Sequence, residues 1–222
     1  MKLIKGYYIP DNDSHFEKYF TQFDHYQEAQ RNRALSQVSE WENALDIGAN
    51  IGLWSKDLTS FFSKTYCFEP NFNCLDCLKR NIDTTKAEIH NFALGSKPSV
   101  EFIFCPDSTG GSSFVNKTKF LGHDSLGKEI WDKFEINVPK QKVEIKTLDS
   151  LDLENINFIK IDVQNYELEV LKGACETLKK NDPVVCIEEY KTNLEESDEI
   201  NFLKSLNFSV IDRIGKEVIL KK

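Results

Sequence analysis

The sequence predicts an α/β fold in which a doubly wound, mostly parallel sheet ends in an antiparallel hairpin. An apolar run ends in Asp46 and turns through Gly48 into a helical pattern, as a buried strand does before a crossover helix. A second apolar run, at 156–163, also carries an aspartate, Asp162, at its C-terminal end and precedes an amphipathic helix. The last two apolar runs, at 208–212 and 217–220, are close enough to pair as a hairpin.

Between these landmarks, apolar and amphipathic segments predict strands and helices in alternation. The predicted strands are 44–46, 65–68, 88–93, 100–105, 143–148, 156–163, 184–190, 208–212 and 217–220. The first predicted helix begins at Ser14, and the others cover 27–38, 53–62, 72–82, 165–180 and 198–206.

Length and charge limit the class of protein. The 222 residues suit one α/β domain with a sizeable core. The net charge of −8 argues against general nucleic-acid binding, which needs a basic face. No window approaches the ~18 consecutive apolar residues of a membrane span, and the first residues lack the apolar core of a signal peptide. We therefore expect a cytoplasmic protein that binds neither nucleic acid nor membrane; its oligomeric state is open.

Two regions differ from the alternating pattern. Residues 1–40 predict an extended arm and helices that pack on the main domain at 41–222, with Phe16, Phe20 and Phe23 forming an aromatic stripe on the first helix.

A second irregular region, at about 106–140, is rich in Gly, Ser, Asp and Pro and predicts an insertion that is a lid, a binding loop or partly disordered. It contains His123, which is either a general base or an ordinary surface residue.

The turn after the first core strand suits the two ends of an amino acid. Gly48 and Gly52 allow a sharp bend and close approach of a ligand to the backbone. The amide groups at the start of the following helix favour an anionic group, and Asp46 could receive an ammonium group. The dinucleotide fingerprint would need glycine at positions 48, 50 and 53, but Asn50 and Leu53 stand at two of them, which disfavours a dinucleotide enzyme.

The next strand ends in Glu69-Pro70, at the edge where ligands bind in doubly wound sheets. A carboxylate there can accept two hydrogen bonds from a ribose diol, although a surface glutamate before a proline is the alternative. At the end of the third strand, Asn91 or the backbone near Ala93 could contact an adenine edge.

Six segments carry a family resemblance. They are ALDIGANIGLWS at 44–55, FEPN at 68–71, NFALGS at 91–96, KTLDSL at 146–151, FIKIDVQNYELEVLKGACETL at 158–178 and PVVCIEEY at 183–190. Together they resemble the FkbM family of methyltransferases. The resemblance implies a class I methyltransferase fold with a seven-stranded sheet, S-adenosylmethionine as cofactor, and methyl transfer to a hydroxyl of a sugar or other small metabolite. On that reading Asp46 and the 48–52 turn, with Asn50 in it, hold the methionine portion, and Glu69 holds the ribose.

Methyl transfer to a hydroxyl needs a group that takes the hydroxyl proton. Asp162 is the first candidate for this base, with Glu188 and His123 behind it. Equally, Asp162 could cap the following helix or orient the cofactor amine. A divalent cation shared by Asp162 and Glu188 has little support, so no metal is predicted.

The chain departs from the family pattern at Gln164-Asn165, where Glu-Gly is usual. Asparagine tolerates the left-handed backbone that glycine would supply. Loss of the carboxylate leaves an alternative function open, a catalytically silent cofactor-binding or interaction protein on the same fold.

Overall fold

A computed structural model of the chain describes residues 1–107, 109–114 and 138–222. His123 and most of the predicted insertion lie outside the described residues.

Strands and helices, numbered in chain order, alternate through the core. The strands are β1 Lys2–Ile4, β2 Tyr7–Ile9, β3 Asn43–Ile47, β4 Lys64–Phe68, β5 Ala87–His90, β6 Ala93–Leu94, β7 Ser99–Phe104, β8 Ser113–Phe114, β9 Lys140–Lys146, β10 Ile156–Ile161, β11 Val184–Glu188, β12 Ser209–Ile214 and β13 Glu217–Lys221. The α-helices are α1 Ser14–Gln22, α2 Glu28–Leu35, α3 Ser55–Phe61, α4 Phe72–Asn81, α5 Glu167–Lys172, α6 Cys175–Asn181 and α7 Asp198–Ser205. Among the described residues, we find no helix with the length and apolar character needed to cross a bilayer.

The main sheet has seven strands in the order β12-β13-β11-β10-β3-β4-β5. The five neighbouring strands β11, β10, β3, β4 and β5 are parallel to one another, whereas β13 is antiparallel to both β11 and β12. This confirms the predicted sheet and its C-terminal hairpin. Helices α5 to α7 pack on one face and α2 and α3 on the other, so both faces are buried, as the continuous apolar strands require.

The register of the parallel strands brings polar and charged residues together at one edge of the main sheet. Asp46 of β3 is opposite Lys160 of β10 on one side and Cys67 of β4 on the other. Lys160 is in turn opposite Cys186 of β11. The carboxyl ends of four adjacent strands therefore meet at one edge of the sheet, together with the acidic residues that follow them.

A second sheet, in the order β6-β9-β7-β8, was not predicted. The strand predicted at 88–93 was wrong in its extent, because β5 ends at His90 and Ala93 pairs with Ile145 of β9 instead. The turn after β6 packs closely on α5: a Cβ added to Gly173 would lie 2.0 Å from the carbonyl oxygen of Gly95.

Three local expectations also need correction. The N-terminal arm is a β1–β2 hairpin rather than a single extended segment. Phe16 and Phe20 are buried in a cluster with residues of β2, of the loop before α3 and of α4, but Phe23 is 52% exposed because α1 ends at Gln22. The helix predicted at 165–180 is divided into α5 and α6 at Gly173.

Candidate functional site

A cavity of about 700 Å³ opens at the carboxyl edge of the main sheet. Its floor is made by the ends of β3, β4, β10 and β11, and residues before α2 and in the β12–β13 turn form another wall. The residues predicted for the site that line it are Asp46, Gly48, Asn50, Glu69, Pro70, Ala93, Asp162 and Glu188. Most of the site residues predicted from the sequence therefore line one cavity; Gly52 and Asn91 do not, and His123 lies outside the described residues.

The loop after β3 is shaped by contact with neighbouring backbone. Gly48 has φ +85°, and a Cβ there would lie 1.9 Å from the carbonyl oxygen of Asp162, so only glycine fits. Gly52 has φ +86°, and a Cβ there would come within 2.8 Å of Leu78 on α4. The absence of a side chain at Gly52 therefore lets α4 pack closely against this loop. Asn50, at φ 50°, adopts the left-handed conformation that asparagine tolerates.

The first amides of this loop already have partners within the chain. The N–H groups of Gly48 and Ala49 both donate to the carbonyl oxygen of Phe68, each at 3.0 Å. The N–H of Asn50 donates to Oε2 of Glu69 at 2.7 Å. These three amides bind the loop to β4 and Glu69, so they already have partners within the chain.

Asp46 is buried, with 1% of its surface exposed. Its Oδ2 accepts a hydrogen bond from the Ser55 hydroxyl at 2.5 Å. Burial raises the pKa of Asp46, while the nearby Lys160 ammonium and the Ser55 hydrogen bond act to lower it. A further cation in the cavity would stabilise the ionised form of this carboxyl group.

Glu69 is held by backbone amides from two sides. Its Oε2 accepts from Asn50 and its Oε1 from the N–H of Asn71, both at 2.7 Å. Burial raises its pKa to about 7, although these two hydrogen bonds act to lower it. The carboxyl group is therefore fixed in orientation, and each oxygen keeps a lone pair for another donor.

Asn91 supports the Glu69 turn from outside the cavity. Its Nδ2 donates to the carbonyl oxygens of Glu69, at 2.8 Å, and Pro70, at 3.0 Å. The neighbouring Phe92 and Ala93 line the cavity, whereas Asn91 does not. Of the two options for the third strand end, the structure therefore favours the segment at Ala93.

An acid cluster, defined as Asp162, Glu188 and Glu217, lines the cavity at the ends of β10 and β11 and the start of β13. One carboxylate oxygen from each lies within 4.8 Å of the others. Lys160 is 2% exposed, and its Nζ lies 3.1 Å from Oδ2 of Asp162. A buried ammonium group therefore offsets part of the negative charge.

The two candidate bases have different environments. Although burial acts to raise the pKa of Asp162, the Lys160 ammonium and hydrogen bonds from Lys160 and Gln164 lower it overall. Burial, and then the negative charges of Asp162 and Glu217, raise the pKa of Glu188 to about 8. Glu188 is thus the more basic carboxylate, which reverses the order that the sequence suggested.

The acid cluster does not need a metal ion to hold it together. Glu217 accepts from Nε2 of Gln27 at 3.2 Å, and Glu188 lies 3.8 Å from Nζ of Lys216. With Lys160 beside Asp162, every member of the cluster has a donor or a cation from the chain itself. We assign no metal to these carboxylates.

Three residues around the acid cluster, Lys160, Glu217 and Gln27, were not predicted from the sequence. A lysine inside the apolar run INFIKIDV is a visible signal, since a buried ammonium group requires acidic partners. Gln27 has no such signal: its side chain joins the Trp54 indole, at 2.6 Å, to Glu217.

Comparison with curated proteins finds methyltransferases. Methyltransferase sdnD of Sordaria araneosa is 32% identical over 155 residues, which are 60% of this chain and 60% of that protein. The hexuronic acid methyltransferase AglP of Haloferax volcanii is 26% identical over 152 residues, 66% of this chain and 56% of that protein. The matches thus span 60% or less of the length of these two relatives.

Solved structures show the same fold. Methyltransferase FkbM from Methylobacillus flagellatus KT has a TM-score of 0.55 at 18% identity, over 82% of this chain and 44% of that chain. Precorrin 8W decarboxylase of Methanobacterium thermoautotrophicum has a TM-score of 0.53 at 9% identity, over 100% of this chain and 98% of that chain. At these identities the likeness concerns the fold alone.

The family model described as the methyltransferase FkbM domain matches residues 46–210. This range begins at Asp46 and includes Glu69, Asp162 and Glu188, the residues that the sheet edge gathers around the cavity. The chain therefore belongs to the FkbM family of methyltransferases.

Proposed function

We propose that the protein transfers a methyl group from S-adenosylmethionine to a hydroxyl oxygen of a sugar or another small metabolite. The observation that carries this proposal is one continuous cavity of about 700 Å³, lined by Asp46 of β3 and Glu69 after β4 on one side of the strand order β11-β10-β3-β4 and by Glu188 of β11 on the other. Its volume is within the usual range for small-molecule sites. A donor and an acceptor can thus be held side by side.

The residues at the first end fit the parts of the proposed donor. Buried Asp46 offers a carboxylate to an ammonium group, and fixed Glu69 offers two oxygens to a ribose diol. Phe92 and Leu94 give the cavity lining an apolar part that suits an adenine ring. When bound, S-adenosylmethionine supplies a methyl group activated by a positively charged sulfur.

The residues at the second end suit a polar acceptor. Glu188 is the group that we assign to take the hydroxyl proton, because its carboxylate is the more basic of the two candidates. Tyr26, Gln27 and Lys216 line this end and offer hydrogen bonds to further hydroxyls. All three lie outside the matched family range of 46–210. The name of the relative AglP, a hexuronic acid methyltransferase, supports a sugar acceptor.

Calorimetry with S-adenosylhomocysteine tests the donor end. We expect binding by the wild type and a loss of about 10-fold or more in Glu69→Gln, because a charge-assisted hydrogen bond to ribose is worth ~1.5–3 kcal/mol. Glu88→Gln is the matched control, since Glu88 is half-exposed on β5 and pairs with Lys64. Binding of NAD but not S-adenosylhomocysteine would refute the proposal.

Turnover tests the acceptor end. The wild type is incubated with S-adenosylmethionine and a panel of methyl glycosides, including uronic acids, and release of S-adenosylhomocysteine is measured. We expect turnover with at least one glycoside and a large loss in Glu188→Gln. Methylation of amines but not hydroxyls would contradict O-methylation, and binding without turnover on any acceptor would favour the catalytically silent alternative.

A further inference from the structure

The side chain of Gln164 lies between the two candidate bases. Its Nε2 is 2.8 Å from Oδ1 of Asp162 and 3.3 Å from Oε2 of Glu188. An amide nitrogen carries two hydrogens, so Gln164 can donate one to each carboxylate. An ionised glutamate in its place would have no hydrogen to give and would add a further negative charge.

The turn that carries Gln164 is held in an uncommon conformation. Gln164 and Asn165 have φ values of 57° and 68°, in the left-handed region that L-residues with side chains seldom occupy. The N–H of Val163 donates to Oε1 of buried Glu167 at 3.0 Å, which fixes the start of this turn. A strained backbone at a cavity wall persists where surrounding contacts hold it in place.

A lysine ammonium group lies near the carboxylate oxygen of each acid that Gln164 does not contact. Lys160 Nζ lies 3.1 Å from Oδ2 of Asp162, and Lys216 Nζ lies 3.8 Å from Oε1 of Glu188. Each carboxylate therefore has one oxygen toward a lysine and the other toward Gln164. The Gln164 amide is therefore central in a row of side chains in which cationic or amide groups alternate with carboxylates. The row is Lys160, Asp162, Gln164, Glu188 and Lys216.

Several other titratable groups influence Glu188 from the elements packed around it. They are Asp162 and Lys160 of the β10 segment, Lys216 and Glu217 at the start of β13, Tyr190 after β11 and Tyr26 before α2. The carboxylates among them disfavour the ionised form of Glu188, and Lys160 favours it.

We propose that Gln164 is a positioning residue whose amide holds Asp162 and Glu188 as neighbouring acceptors and keeps Glu188 able to take the proton of the methyl acceptor. The inference rests on the proposed function. In the step it serves, the acceptor oxygen forms a bond to the methyl carbon as its O–H bond breaks. The proton passes to a Glu188 oxygen, and the sulfur of the donor keeps the electron pair of the bond it loses.

Carboxyl-carbon NMR of the ¹³C-labelled, ligand-free protein tests this arrangement. We expect Gln164→Glu to raise the titration midpoint of Glu188 by about one pH unit or more, because a like charge is added beside it. Gln164→Ala removes the donor without adding charge and should raise the midpoint less. Gln30→Glu is the matched control: it adds the same charge to the cavity lining but leaves the Gln164 bridge in place.

The inference is overturned if Gln164→Glu moves the Glu188 midpoint no further than Gln30→Glu, or if Gln164→Ala leaves it unchanged. Both results are obtained without any acceptor, so they are independent of whether the proposed reaction occurs. Where the glycoside panel yields an acceptor, kcat of Gln164→Glu should show its rising limb at higher pH than the wild type, with KM for S-adenosylmethionine little changed. An unshifted limb in an active variant also overturns the inference.

Discussion

Replacing Gly48 by alanine tests how closely β3 and β10 pack at the site. A Cβ at this position would lie 1.9 Å from the carbonyl oxygen of Asp162, whereas Cβ atoms essentially never come within 3.0 Å of a heavy atom outside their own and the adjacent residues. The two strand ends would have to separate by about 1 Å, and overpacking of this kind costs ~1–3 kcal/mol. The left-handed φ of +85° costs alanine a further ~1–2 kcal/mol. We therefore expect the free energy of unfolding to fall by about 2–5 kcal/mol.

Urea unfolding followed by circular dichroism measures this loss, which corresponds to roughly 4–20 °C in Tm for a domain of this size. Gly6→Ala is the matched control, because Gly6 has a similar φ of +81° but a Cβ there would meet nothing closer than 3.8 Å. The control should lose only the backbone term, ~1–2 kcal/mol. The same displacement moves Asp162, since its N–H donates to the Ile47 carbonyl at 3.0 Å, so Gly48→Ala should also bind S-adenosylhomocysteine more weakly.

Equal losses of stability in the two variants would refute the packing argument. They would mean that the strand ends adjust to the added methyl group at no cost beyond that of the backbone conformation. Undiminished binding by Gly48→Ala would separately refute the link between strand packing and the site.

Two further predictions concern buried charge. Lys160→Met leaves Asp162, whose side chain is 19% exposed, without its ammonium partner and should cost up to ~3–5 kcal/mol in urea unfolding. The loss should be partly recovered when Asp162→Asn is added, and no recovery would contradict the pairing. The ordinary pKa of a glutamate side chain is 4.5. Burial raises the pKa of Glu69 and of Glu167 to about 7, and burial is also the largest cause of the rise in the pKa of Glu188 to about 8. The folded state then binds more protons than the unfolded state, so the stability that these groups contribute is present below about pH 4.5 and is lost as the pH rises through about 7 to 8. Glu167→Gln should flatten this fall, and an unchanged slope between about pH 5 and 8 would contradict it.

The sheet edge that carries the cavity could be predicted from the sequence because its signals are local. An apolar run that ends in Asp46 and turns at Gly48 specifies a strand, a turn and a helix within one segment. Parallel strands then place their carboxyl ends together, which brings Glu69, Asp162 and Glu188 to the same cavity without further information.

Other features depend on contacts between distant segments, and no local pattern specifies them. Ala93 leaves the main sheet because it pairs with Ile145, far along the chain. Asn91 contacts the Glu69 turn rather than the cavity because its amide finds two carbonyl groups there.

The sequence by itself determined the order of the core strands and helices, the glycine turn and the acids at the strand tips, because periodicity and turn chemistry act over a few residues. Only the tertiary structure decided how charge is distributed around the acid cluster. Gln27 and Glu217 are 190 positions apart and meet through one hydrogen bond, and Glu188 becomes the more basic carboxylate because folding buries it beside two others. Burial and the proximity of charges arise only when the chain is packed, and they set the basicity of these groups.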